Sequence, residues 1–181
     1  MATVQHLISA EELFLMPNPG RCELVRGELI KIVPAGSEHG GIITEFTLLL
    51  GNFVKSEKLG KIFGAETGFI IHRNPDTVRA PDVAFVRADR LPPKLPRGFF
   101  DGPPDLAVEV LSPGDRAGEV QAKIHDWLAA GCRSVWIVDP ENKSVTLHKS
   151  DRDITVLHAS DTLTDAEILP GFAVVIGEIF Q

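Results

Sequence analysis

Two acidic side chains stand in stretches that otherwise read as buried β-strand. In Asp105–Leu111, a period of two puts Leu106, Val108 and Val110 on one face and Ala107, Glu109 and Leu111 on the other. Glu109 thus interrupts a run that is apolar on both sides, as in a strand covered on both faces. A carboxylate in that setting is costly unless it is paired or coordinates a cation. Asp82 opens a second such run, Asp82–Val86, directly after Pro81 and on the face of Ala84 and Val86. Adjacent strands lie ~4.8 Å apart, so carboxylates at the ends of consecutive strands can share one divalent ion. Taken singly, Asp82 also reads as a strand-opening or turn carboxylate, and Glu109 as half of an ion pair inside the sheet.

Lys123 is the third candidate. At 100° per residue, Val120, Ile124, Trp127 and Leu128 form the buried stripe of a helix, with Lys123 at its border beside Trp127. A border lysine commonly snorkels to water. This one, however, follows Glu109 through the short connection Ser112–Asp115, so its helix can pack back over the strand ends. His39 lies on the apolar side of another helix, at its first turn, and reads either as a site member or as a satisfied core histidine. Glu45, at the border of that helix, reads as solvated. Glu66 is a second-tier candidate whose alternative is strand–turn packing.

The elements that must position these groups are legible in outline. Ser9-Ala10-Glu11-Glu12 is a capping box ahead of a short helix that Pro17 and Pro19 end. Cys22–Val25 and Glu28–Val33 form a hairpin turning at Arg26-Gly27. Apolar residues recur at helical spacing from Glu38 to Lys58. Strand-like runs follow at Lys61–Phe63, Gly68–His72, Asp82–Val86 and Asp105–Leu111. A helix over Ala117–Ala130 ends at Gly131. Strands come next at Ser134–Val138, Ser144–Lys149 and Asp153–His158, and Leu169–Phe172 reads as a turn before a final apolar stretch. This order predicts a mixed α/β layer architecture with helices covering the sheet, in a single domain over residues 1–181. Within it, Arg87–Pro104 carries five prolines and no periodicity. The segment is locally basic through Arg87, Arg90, Lys94 and Arg97, and loops this long are commonly functional.

Composition narrows the classes. With 25 acidic against 18 basic side chains, the 181-residue chain has a formal charge of −7, which argues against binding nucleic acid through bulk charge alone. Cys22 and Cys132 form no CxxC and read as small buried hydrophobes. No apolar run approaches the ~20 residues of a spanning helix, and no basic n-region precedes an apolar stretch. The expectation is a cytoplasmic protein without a membrane partner. The GxSxG, HExxH, GxxxxGK[ST] and GxGxxG signatures are absent.

Ala80-Pro81-Asp82-Val83-Ala84-Phe85-Val86, Pro104–Pro113, Lys123 and Val135–Pro140 together resemble the Uma-type endonucleases of the PD-(D/E)xK, restriction-endonuclease-like superfamily. Glu23–Leu29, Glu38-His39-Gly40 and Leu169–Phe172 fit the same family, so the resemblance spans nearly the whole chain. It implies a mixed β-sheet core flanked by helices, with extra N- and C-terminal strands. It also implies that Asp82 and Glu109 are the acidic ligands of Mg²⁺ or Mn²⁺, joined by the backbone carbonyl of Val110. The lysine the superfamily places two residues after the glutamate is Leu111 here, and the resemblance to the Uma-type proteins implies that Lys123 is its replacement. The implied activity is metal-dependent cleavage of DNA; the local positive charge of Arg87, Arg90, Lys94 and Arg97 makes that loop the candidate for backbone contact, and a homodimer is a further arrangement. A catalytically silent nuclease-fold module that binds DNA or a protein is the alternative.

Overall fold

A computed structural model describes residues 6–181. Helix α1 (Ala10–Leu15) starts at the expected capping box, in which Ser9 Oγ accepts from the Glu12 amide at 3.1 Å and Glu12 Oε2 accepts from the Ser9 amide at 2.8 Å. Strands β1 (Cys22–Val25) and β2 (Glu28–Lys31) follow. Their two-residue turn has Arg26 and Gly27 both at positive φ (51° and 81°), the twist that suits a tight hairpin. After them come α2 (Ser37–Ser56), β3 (Gly60–Gly64), β4 (Phe69–His72), β5 (Thr77–Arg79) and β6 (Val83–Arg87). Next are β7 (Phe100–Asp101), β8 (Leu106–Val110), α3 (Ala117–Ala129), β9 (Ser134–Asp139), β10 (Ser144–His148) and β11 (Ile154–Leu157). The described chain closes with β12 (Thr162–Asp165), β13 (Leu169–Val175) and α4 (Ile176–Ile179).

These strands form a six-stranded sheet in the order β11-β10-β9-β8-β6-β3 and a five-stranded sheet in the order β2-β1-β5-β4-β7, with β12 and β13 paired separately. The chain passes from the smaller sheet to the larger at Ala80-Pro81-Asp82, between β5 and β6. One face of the six-stranded sheet (Val83, Phe85, Val108, Val110, Trp136, Val138) packs on Ile42, Phe46 and Leu50 of α2 and on the C-terminal hairpin. Ala84, Val86, Ala107, Val135 and Ile137 on its other face pack on Ile124 and Trp127 of α3 and on Phe69 and Phe100 of the smaller sheet. Strand β8 is therefore covered on both sides, as its apolar pattern requires. It runs parallel to β9, and α3 makes the crossover between them that a parallel pair needs.

Three details differ from the expectation. β5, β7 and β12 are additional strands, each short or polar. Leu169–Phe172 forms the start of β13 rather than a turn: among the described residues its only strand partner is β12, so Pro170 costs no central ladder bond, and Gly171 takes the positive φ (88°) beside a register shift. Arg87–Pro104 is not structureless, since a 3₁₀ turn at Ala88–Arg90 and β7 break it up. Cys132 is buried and Cys22 half-buried, both as free thiols. Among the described residues no helix is long and apolar enough to cross a membrane.

Candidate metal centre

Antiparallel pairing sets Val83 of β6 opposite Val108 of β8, and Asp82 stands in the bend just before β6, one residue beyond that pairing. Asp82 Oδ2 accepts from the Val110 amide at 2.8 Å, which fixes the aspartate on the end of β8. Glu109 points toward α3. There Lys123 Nζ donates to Oε2 at 3.2 Å and Trp127 Nε1 to Oε1 at 2.9 Å, two donors one helical turn apart on a single face. From the other side, α2 brings His39 Nε2 within 2.9 Å of the Val110 carbonyl oxygen and 3.5 Å of Asp82 Oδ2. The other ring nitrogen of His39 is buried without a hydrogen-bond partner among the described residues.

Sequence reasoning missed the layer behind these groups. Glu23, buried in β1, accepts from Arg79 Nη1 at 2.7 Å through Oε2 and from the Ala80 amide at 3.0 Å through Oε1. Oε1 also lies 4.0 Å from Lys123 Nζ. Arg79 reaches past Glu23 to Asp126 of α3, where Nη2 and Nε both donate to Oδ2. One signal was available: Glu23 stands in a strand whose other side chains, Cys22, Leu24 and Val25, are apolar.

Four carboxyl groups, Glu23, Asp82, Glu109 and Asp126, are gathered around two permanent cations, Arg79 and Lys123, with His39 beside Asp82. Burial foremost, with Asp82 and Glu23 adding to it, pushes the Glu109 carboxyl up to about 7 against the pull of Lys123 and Trp127. For Lys123, burial acts to lower the pKa but is outweighed by Glu109 and Glu23, so the ammonium is held above its usual range. The Asp82 carboxylate likewise holds His39 above the ordinary imidazole value, in opposition to burial.

A divalent cation fits this donor set. Carboxylate and carbonyl oxygens are the hard donors that Mg²⁺ and Mn²⁺ prefer, and a bound cation would favour the ionised form of the buried Glu109. Among the described residues no group of three or more His, Cys, Asp or Glu is arranged to hold a metal. Asp82, Glu109 and the Val110 carbonyl ask for only two side chains, and Mg²⁺ is commonly held by one or two carboxylates with water filling the remaining positions.

One consequence is measurable without substrate. A carboxyl whose folded pKa is raised contributes stability in full below its unfolded value near 4.5, and that contribution is lost as pH rises through about 7. Glu109→Gln removes the buried charge, so it should stabilise the metal-free protein by about 1–3 kcal/mol at pH 8, with the gain nearly gone at pH 4. Urea unfolding of both proteins at the two pH values checks this.

The remaining sequence candidates lie elsewhere. Glu66 sits exposed in the β3–β4 turn, ion-paired to Arg21 at 3.3 Å. The basic segment begins at the opposite end of β6 and β8 from Asp82 and Glu109, about 13–16 Å away along the strands. Arg87 pairs with Asp89 at 3.0 Å. Arg90 is taken up by the buried Asp105 at 3.0 Å and by the Pro103 carbonyl at 2.7 Å. Lys94 and Arg97 are exposed. Glu45 lines a shallow cleft with Glu38 and Lys143, next to the C-terminal residues.

A family model named Uma2, described as "Putative restriction endonuclease", matches residues 10–177. Among solved structures, the chain resembles a protein from Anabaena variabilis described as a putative nuclease belonging to DUF820, at a TM-score of 0.81 and 21% identity over 96% of this chain and 97% of that one. That likeness establishes the fold, a mixed α/β core. No curated protein matches the chain.

Proposed function

The chain belongs to the Uma2 family of "Putative restriction endonuclease" proteins, and from that premise we propose that it is a metal-dependent endonuclease hydrolysing phosphodiester bonds of DNA. The observation that carries this reading is Asp82 held on the amide of Val110, directly after Glu109, with Lys123 on Glu109, in a largely buried cluster rich in carboxyl groups. Asp82, Glu109 and the Val110 carbonyl would hold Mg²⁺ or Mn²⁺. When bound, the ion supplies a lowered pKa for water and an offset for charge growing on the scissile phosphate.

The chain's own residues do the rest. The Val110 amide and His39 hold Asp82 and the Val110 carbonyl close together. Trp127 pins one oxygen of Glu109 and so fixes its rotamer. Lys123 brings a permanent cation to the same side, where it can orient the attacking water or stabilise the pentavalent phosphate. Glu23 keeps that ammonium near Glu109 through its own charge.

The test is incubation with supercoiled, linear and single-stranded DNA and with RNA, in Mg²⁺ and in Mn²⁺, beside a chelator control. Cleavage of DNA that the chelator stops is the expected result. A folded protein that cleaves no polymer in either metal would leave the silent module as the better reading.

A further inference from the structure

His39 engages two of the three groups assigned to the ion. It stands in the first turn of α2, 11% exposed, with Nε2 2.9 Å from the Val110 carbonyl oxygen and 3.5 Å from Asp82 Oδ2. A carbonyl oxygen has no hydrogen to give, so at 2.9 Å it is Nε2 that carries the proton and donates. Asp82 Oδ2 is an acceptor as well, and a single N–H therefore faces oxygens of both groups.

A nitrogen in that state is no metal ligand. Freeing it would move the proton to Nδ1, which is buried without a hydrogen-bond partner among the described residues. Histidines that bind metals almost always donate the other ring N–H to a carboxylate, a carbonyl or water. A buried N–H with no acceptor is costly. His39 is thus built as a donor. The positive end of its N–H bond is aimed at oxygens that a hard cation would take, so the two compete.

The donor keeps a use once an ion binds. With the Val110 carbonyl and Asp82 given to the ion, the N–H lacks an acceptor, and a phosphodiester drawn to the same ion brings one. A non-bridging phosphate oxygen is anionic, which makes it a stronger acceptor than a neutral carbonyl. The turn around His39 can yield: Gly40 and Gly41 follow it directly, and a Cβ at either would meet nothing within 4 Å. Glycine inside a helix leaves the backbone looser than alanine does.

We propose that His39 is a substrate-phosphate donor held in reserve: its Nε2–H engages the Val110 carbonyl and Asp82 until an ion takes those oxygens, and then donates to the phosphodiester. This rests on the nuclease reading of the centre, and gives His39 opposite effects on the two ligands. It weakens binding of the ion alone, with which it competes. It strengthens binding of nucleic acid in the presence of the ion.

Two measurements separate these effects. Titration calorimetry of Mn²⁺ alone compares the wild type with His39→Leu and His39→Ala, with circular dichroism as the fold control. Both variants lack the donor and should bind Mn²⁺ about 3- to 10-fold more tightly. Fluorescence anisotropy then follows labelled DNA, single-stranded and duplex, in saturating Mn²⁺ and a Lys123→Ala background. There the same two substitutions should weaken DNA binding by about 10- to 100-fold, the loss of a charge-assisted hydrogen bond. Weaker Mn²⁺ binding in both folded variants would make His39 a ligand or a prop for the site, and overturns the proposal. Tighter Mn²⁺ binding with unchanged DNA binding overturns the phosphate contact, even where the wild type cleaves in a metal-dependent way. Absence of both cleavage and nucleic-acid binding in a folded wild type overturns the nuclease reading, and the phosphate contact with it.

Discussion

Asp82→Asn and Glu109→Gln should each lower metal-dependent cleavage by about a thousandfold or more while leaving the fold intact. Both substitutions keep shape and hydrogen-bonding capacity. The asparagine amide of the first retains an oxygen to accept from the Val110 amide, and the glutamine amide of the second retains one for Lys123 or Trp127. What each removes is one anionic oxygen ligand from the pair that the bond from the Val110 amide to Asp82 brings together at the end of β8. Loss of a single group that stabilises transition-state charge costs about 10²–10³ in rate in well-studied sites, and here the bound ion itself is at stake. Lys123→Ala leaves both ligands in place and should cost less. Initial rates in saturating Mg²⁺, with far-ultraviolet circular dichroism as the fold control, give the comparison. Cleavage retained in both carboxylate variants would place the reaction elsewhere.

The largest expected effect on stability belongs to Arg79. Its guanidinium is 8% exposed and spans Glu23 of β1 (2% exposed) and Asp126 of α3. It thereby joins the smaller sheet to the helix that carries Lys123. Removing one partner of a buried pair leaves an uncompensated charge, typically at a cost of about 3–5 kcal/mol. Arg79→Met should therefore destabilise by about that amount in urea unfolding. Adding Glu23→Leu should recover much of the loss, because the stranded charge goes with it. A loss under about 1 kcal/mol, or no recovery in the double variant, would show that Arg79 contributes little beyond its packing.

The two carboxylates were legible because a strand buried on both faces tolerates no idle charge, so Glu109 and Asp82 stood out from their own neighbours. Lys123 was legible only as a border position. Its direct contact with Glu109 depends on α3 folding back across β8, which the short Ser112–Asp115 connection permits but does not dictate. Glu23 and Arg79 stayed hidden for a different reason. They lie 56 residues apart in sequence, and their bond crosses from β1 to β5, a strand of three residues with no periodicity to read. In the fold, the long amphipathic helices and the apolar strands of the larger sheet were plain. The strands missed were those whose pairing is decided by tertiary contacts, as in β12 and β13, where a proline and a glycine imitate a turn.

Titration calorimetry of Mn²⁺ and Mg²⁺ into the wild type, Asp82→Asn and Glu109→Gln most directly tests whether Asp82 and Glu109 together hold a divalent ion. One binding site in the wild type, lost or weakened at least about tenfold in each variant, is the expected result, since ligand carboxylates carry most of the affinity for hard cations. Unchanged binding in either variant, or no binding in a folded wild type, would contradict it.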